Sequence, residues 1–335
     1  MRTETKTINL ALQGGGSHGA FTWGVLDRLI EDGRLDFEAI SGTSAGAMNA
    51  AVLADGYMRG GADGARERLR EFWLGVSRAS VGRRMGHILG PILSFWNVPR
   101  APGLGFFENF MAPATMNPLD INPLRELLDE LVDFDKVRAN DGLKLFISAT
   151  NVRDGKIKVF SGKEITADAI MASACLPFLF AAVEIGGEAY WDGGYTGNPA
   201  LFPFFTETTT EDILLVQVNP VRREDVPRTA TEIMERQSEI TFNASLLREF
   251  RAIDFVNRLL EENRLDPGKY KRNRLHRIDA TEALAHHRAS TRLDTSWRFF
   301  EELHAAGRDA AEEWLKRNYD DVGVKATLNL RREFM

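Results

Sequence analysis

The chain has 335 residues, 44% of them hydrophobic, enough for one large domain or for a domain with an appended cap. A net charge of -6 with the two signs well mixed argues against a general nucleic-acid binder. The single cysteine, Cys175, excludes an internal disulfide framework and a cysteine-rich zinc site.

The N-terminal MRTETKTINL lacks the apolar core of a signal peptide, and no run reaches the ~20 apolar residues a membrane span needs. The expectation is a soluble cytoplasmic protein, with secretion by a route without a cleaved signal left open. TINLAL reads as a buried strand. It leads into ALQGGGSHGAF, Ala11 to Phe21, with three consecutive glycines before a helical pattern. So bare a backbone serves either to cradle a phosphate or to hold an oxyanion on its N–H groups. AFTWGVLDRLIED then reads as a helix ended by Gly33.

FEAI forms a short strand, and AGAMNAAVLA favours a helix. Between them lies Gly42-Thr43-Ser44-Ala45-Gly46, a G-x-S-x-G pattern in the strand–turn–helix setting of a nucleophile elbow. Such a turn lifts the serine hydroxyl clear of the sheet, and the helix N-terminus favours charge developing on an attacked carbonyl oxygen. The plainer alternative is a Gly/Ser turn capping a helix.

A long irregular insertion follows at about 78–120, holding MGHILGPILSFWNVP and APGLGFFENFMAPATMNP. Its apolar residues suit a cap over an acyl pocket or a surface meeting a membrane, with Arg83, Arg84 and Arg100 placed for anionic headgroups. A buried insertion or a dimer contact fits equally. LKLFISATNV and KIKVFSG flank Arg153-Asp154-Gly155 as a hairpin, and DILLVQVNP is another strand stopped by Pro220. This alternation favours an α/β fold with a mostly parallel central sheet. Beyond Arg228, apolar residues at helical spacing (Leu246, Phe250, Ile253, Val256, Leu260) indicate a mainly helical extension covering the sheet. The basic run KYKRNRLHR, Lys269 to Arg277, reads as a solvated face.

A serine nucleophile needs a base. Of the six histidines, His18 lies in the glycine loop, His87 in the irregular insertion, and His276, His286, His287 and His304 in the charged tail. None sits in a triad-like setting, and nothing resembles a metal-ligand cluster. A carboxylate is the alternative: EAYWDGGYTGNPAL ends a strand at Asp192, followed by Gly193 and Gly194. Taken alone, Asp-Gly-Gly is a common turn.

Four segments together resemble the patatin-like phospholipase family, in that family's order: Gly14-Gly15-Gly16-Ser17-His18-Gly19, the elbow at Ser44, ASACLP from Ala172 to Pro177, and Asp192-Gly193-Gly194. The likeness runs over about residues 7–220. It implies a three-layer α/β/α fold, so a catalytic domain is expected over 1–225; the helical extension over 226–335 rests on the spacing of its apolar residues and matches no motif of the family. It also implies hydrolysis of lipid acyl esters by a Ser–Asp dyad, with no metal or other cofactor. Ser44 is then the nucleophile and Asp192 the base. The N–H groups of Gly14, Gly15 and Gly16, with Ala45, form the oxyanion hole, and Gly42, Gly46, His18, Gly193 and Gly194 support the site. Partners are a lipid or membrane-interface substrate and no nucleic acid; a homo-oligomer is compatible.

The family often places an acid before the glycines and a basic residue ahead of the closing glycine, where this chain has Gln13 and His18. His18 is expected either to supply that charge when protonated, near or below its reference pKa of ~6.5, or to act only as a spacer. Rival readings are a general esterase, thioesterase or polyester depolymerase on the same residues, and a phosphate-binding module. The loop lacks the Gly-Lys-Ser/Thr ending of a P-loop, and Asp36 precedes its short strand rather than ending it.

Overall fold

The computed structural model describes residues 5–81, 122–177, 180–285, 287 and 289–334. The insertion expected at about 78–120, including His87 and its flanking arginines, lies outside them except for 78–81; so does His286. In chain order the elements are β1 (Lys6–Leu12), α1 (Gly19–Asp32), β2 (Leu35–Gly42), α2 (Ala45–Val81), α3 (Pro123–Leu131), α4 (Phe134–Ala139), β3 (Lys144–Asn151), β4 (Ile157–Ser161), α5 (Ala167–Ser173), β5 (Val183–Ile185), β6 (Glu188–Asp192), α6 (Pro203–Glu207), β7 (Asp212–Gln217), α7 (Ala230–Glu261), β8 (Arg274–Asp279), α8 (Trp297–Asn318) and α9 (Leu330–Phe334). Local chemistry sets several of these ends. Gly33 caps α1 in the left-handed region. Thr229 and Glu232 form a reciprocal capping box at the start of α7. In α2 the backbone leaves helical geometry at Gly60 and Gly61.

Among the described residues eight strands form one sheet, hydrogen-bonded in the succession β5-β6-β3-β2-β1-β7-β8, with β4 on the opposite edge of β3 from β2 and β6. The run from β3 to β8 is parallel. The pairings of β4 and β6 with β3, and of β5 with β6, are antiparallel.

Burial alternates along the strands. Ile8, Leu10 and Leu12 of β1 and Leu214 and Val216 of β7 enter one core, shared with α1, α2, α5 and α8. Ala11, Ile213, Leu215 and Leu275 enter a second core with Leu246, Phe250 and Ile253 of α7. A sheet buried on both faces gives three layers.

The basic run in the tail departs from expectation. Its second half is β8, parallel to β7, with Leu275 and His276 fully buried. Polar residues enter a strand here because the fold partners them: His276 Nε2 lies 3.0 Å from Asp212 Oδ1, and its Nδ1 lies 3.0 Å from Thr327 Oγ1. Arg274 pairs with Asp212 at 2.7 Å, and Lys271 donates to the carbonyl of Phe204. That segment is a sheet element rather than a solvated face.

Candidate active site

Ser44 follows β2 at its carboxyl end, where the register aligns Leu12 of β1 with both Gly42 and Val216. Its φ is +55°, rare for a residue with a side chain and the strain expected of a nucleophile elbow. The turn is tied down by Thr43 N–H to Leu12 O at 3.2 Å, Gly46 N–H to Thr43 O at 2.8 Å, and Thr43 Oγ1 to Gly197 O at 2.7 Å. The Ser44 N–H donates to Ser173 Oγ at 2.9 Å, which brings the ASACLP segment to the elbow. Gly46 leaves no room for a side chain, since a β-carbon there would stand 2.2 Å from Leu12 O. Gly46→Ala is therefore expected to destabilise the fold by about 1–3 kcal/mol, read as a shifted urea midpoint.

Asp192 reaches the serine through sheet topology. On β3, residues 144–147 pair with β2, 146–150 with β4 and 149–151 with β6. Because β4 overlaps both other sets, β2 and β6 share one edge of β3, end to end. The last residue of β6 is Asp192, opposite Ala149, so it meets the chain leaving β2. A β-carbon on Gly193 would stand 3.0 Å from Thr43 Cγ2, which confirms the approach of the two turns.

The Asp192 side chain is almost wholly buried, at 1% exposure. Its Oδ1 accepts from Gly194 N–H at 2.7 Å, and its own N–H donates to Cys175 O at 2.8 Å. Burial pushes its pKa up to about 7, opposed by the Gly194 N–H and the Ser44 hydroxyl. Among the described residues Oδ2 has no partner of regular hydrogen-bond geometry, so the hydroxyl approaches the carboxylate without a settled bond to that oxygen. A carboxyl group titrating near neutrality beside a strained serine is suited to proton transfer.

The glycine loop packs on this pair: a β-carbon on Gly14 would stand 2.8 Å from Ser44 Cβ. The three loop amides are not equivalent. The Gly14 N–H is already engaged, donating to Asn198 Oδ1 at 2.7 Å, which departs from its expected role as an oxyanion donor. The N–H groups of Gly15, Gly16 and Ala45 meet no acceptor among the described residues. Gly14 O accepts from Asn219 Nδ2 at 2.6 Å. Gln13 Oε1 accepts from the N–H groups of Val218 and Asn219 at 3.0 and 2.8 Å, as an acid would, while Nε2 donates to Asn243 Oδ1 at 2.9 Å, as an acid could not.

His18 does not supply the expected charge. It is 3% exposed, with Nε2 lying 2.8 Å from Thr291 Oγ1. Burial first, then the charges of Arg292, His287 and Arg223, lower its pKa to about 3. The ring is neutral wherever the protein is folded at ordinary pH, and no activity limb near 6.5 arises from it. Its imidazole C–H resonances are expected not to shift between pH 5 and 8 in an NMR titration; movement with a midpoint near 6.5 would contradict this.

The described tail histidines pack against carboxylates: His276 on Asp212, His304 on Asp27 at 3.2 Å and His287 near Glu302 at 3.3 Å. Among the described residues no group of His, Cys, Asp and Glu is arranged to hold a metal ion, and no helix is long and apolar enough to cross a membrane. Ser173 was marked in the sequence only as part of ASACLP, and Asn198, Asn219, Asn243 and Arg292, which bond to the loop or to its partners, were missed. Asn198 and Asn219 each precede a proline at a chain turn, a signal that was readable; Asn243 and Arg292 carried none.

Among solved structures, the chain is similar to VipD from Legionella pneumophila, at 16% identity and TM-score 0.40, covering 91% of this chain and 67% of that one. It is also similar to ExoU in its heterodimeric complex with SpcU from the type III secretion system of Pseudomonas aeruginosa. There the identity is 17% and the TM-score 0.38, covering 94% of this chain and 53% of that one. The chain thus spans about half the length of ExoU. No curated relative matches it. A family model described as patatin-like phospholipase matches residues 10–205, more than half of the chain, including the glycine loop, the elbow and Asp192. The chain belongs to the patatin-like phospholipase family.

Proposed function

We propose that the protein is a serine acyl hydrolase that cleaves fatty-acyl esters of phospholipids, with Ser44 as nucleophile and Asp192 as base. The observation that carries this reading is the buried Asp192 carboxyl group, with a pKa of about 7, facing a serine held at positive φ.

Asp192 takes the hydroxyl proton as Ser44 Oγ attacks the ester carbonyl carbon. The tetrahedral alkoxide is received by the N–H groups of Gly15, Gly16 and Ala45, each such donor supplying on the order of 2.7–4 kcal/mol. The carbon–oxygen bond breaks, and the lysolipid alcohol leaves with the proton from Asp192. Water then gives a proton to Asp192 as it attacks the acyl-serine. The fatty acid departs and the proton returns to Ser44. With a base this weak, positioning and the amide donors carry most of the acceleration. The substrate is met at a lipid surface, to which the enzyme binds peripherally.

The test is fatty-acid release from mixed phospholipid vesicles, with short chromogenic esters in parallel. Release from vesicles supports the phospholipid substrate. Cleavage of the short esters alone moves the assignment to a general esterase. Inertness towards both, with no labelling of Ser44 by a fluorophosphonate, overturns the hydrolase reading.

A further inference from the structure

Arg292 lies far outside the matched region, in a single 3-10 turn, Ala289–Leu293, ahead of α8. Its surroundings tie it to the glycine loop. The Arg292 carbonyl oxygen would stand 2.5 Å from a β-carbon on Gly16, whose φ is +60°. The preceding residue, Thr291, contacts His18. The guanidinium Nη2 donates to Asn219 Oδ1 at 2.7 Å, and Asn219 Nδ2 in turn donates to Gly14 O at 2.6 Å. Gly14 O belongs to the same peptide group as the Gly15 N–H, one of the loop donors left without an acceptor. The order is therefore guanidinium, side-chain amide, backbone amide, free N–H. Each bond polarises the next in the same direction, so a cation at one end strengthens the donor at the other.

Two carboxylates, Glu239 and Glu235, act on Arg292, against three arginines in the cluster, Arg292, Arg223 and Arg236, so the cluster keeps a net positive charge. Glu239, 3.8 Å from Arg292, is shared with Arg223 at 2.7 Å and Arg236 at 3.1 Å. Arg292 Nε meets no acceptor among the described residues, and the side chain is 15% exposed. An arginine so placed keeps its positive field directed on the loop.

We propose that Arg292 is a positioning residue for acyl transfer: through Asn219 it polarises the Gly14–Gly15 peptide, so the C-terminal segment supplies the fixed cation that the loop itself does not carry. This rests on the reading of Ser44 as the nucleophile. It predicts that the loop's donor strength depends on a residue outside the matched region.

The experiment measures the second-order rate of Ser44 labelling by a fluorophosphonate, together with kcat and KM on a soluble chromogenic ester. It uses the full-length wild type, Arg292→Gln, Arg292→Lys and Asn219→Asp, with thermal melts to establish folding. Arg292→Gln is expected to slow labelling and kcat by on the order of tenfold to a hundredfold, with KM little changed. Arg292→Lys recovers most of that loss. Asn219→Asp still accepts from Arg292 but cannot donate to Gly14 O, so it is expected to be as slow as Arg292→Gln, and it serves as the test if Arg292→Gln does not fold. Wild-type rates in Arg292→Gln or in folded Asn219→Asp would overturn the relay. A folded Arg292→Lys as slow as Arg292→Gln would assign Arg292 to packing instead. If wild type itself is not labelled, the nucleophile reading has failed and the relay with it, an outcome distinct from wild-type labelling that Arg292 does not affect.

Discussion

Ser44→Ala and Asp192→Asn are each expected to lower acyl-ester turnover by a factor of about 10³ or more, with the fold intact in both. Ser44 lacks a substitute because, among the described residues, no other serine or threonine is held at positive φ. Asp192 lacks one because it is the carboxylate that the Ser44 hydroxyl faces, while the described histidines have other partners: His18 lies on Thr291, its pKa lowered by burial to about 3, and His276, His287 and His304 lie on Asp212, Glu302 and Asp27. The measurement is kcat on a soluble ester, beside fluorophosphonate labelling. Labelling of Asp192→Asn at the wild-type rate would remove the carboxylate from the mechanism and reopen the search for a base.

Asp192 should also set the pH dependence of both rate and stability, in opposite directions. The base works ionised, so kcat/KM is expected to rise with pH through about 7, the raised pKa of the buried carboxyl group. The unfolded chain ionises this group near pH 4. Between about 4 and 7 the folded state therefore holds a proton that the unfolded state has lost. Its contribution to stability is full below about 4 and is lost as the pH rises through about 7. Asp192→Asn never carries the buried charge. It should be more stable than wild type at pH 8 by on the order of 2–4 kcal/mol, with the gap closing toward pH 4. Denaturant titrations of the two proteins at pH 4.5 and 8 measure this. Equal stabilities at pH 8 would mean the carboxylate is better solvated than its burial implies. A variant that gains stability while losing activity is the behaviour of a residue kept for its chemistry.

The sequence alone determined features whose causes are local. β1, α1, the β3–β4 hairpin and β7 were legible because period-2 and period-3.6 patterns, Gly33 and the Arg153–Gly155 turn act over a few residues. The elbow at Ser44 was legible for the same reason: strand, glycines and helix are contiguous there. Even Asp192 was visible as an aspartate ending a strand and so as a candidate base, although only the family resemblance paired it with Ser44.

Tertiary structure decided whatever depends on residues far apart in the chain. Which carboxylate meets Ser44 follows from β2 and β6 sharing one edge of β3, a pairing no local pattern encodes. The strand β8 forms from charged residues because Asp212, Thr327 and the carbonyl of Phe204 await them, overriding a composition that reads as solvated surface. Which loop amides stay unengaged depends on Asn198, and the charge state of His18 depends on burial against Thr291 and the field of Arg292. Hydrogen bonds and desolvation act between neighbours in space, and the chain order of Gly14, Asn198, Asn219 and Arg292 does not reveal that they are neighbours.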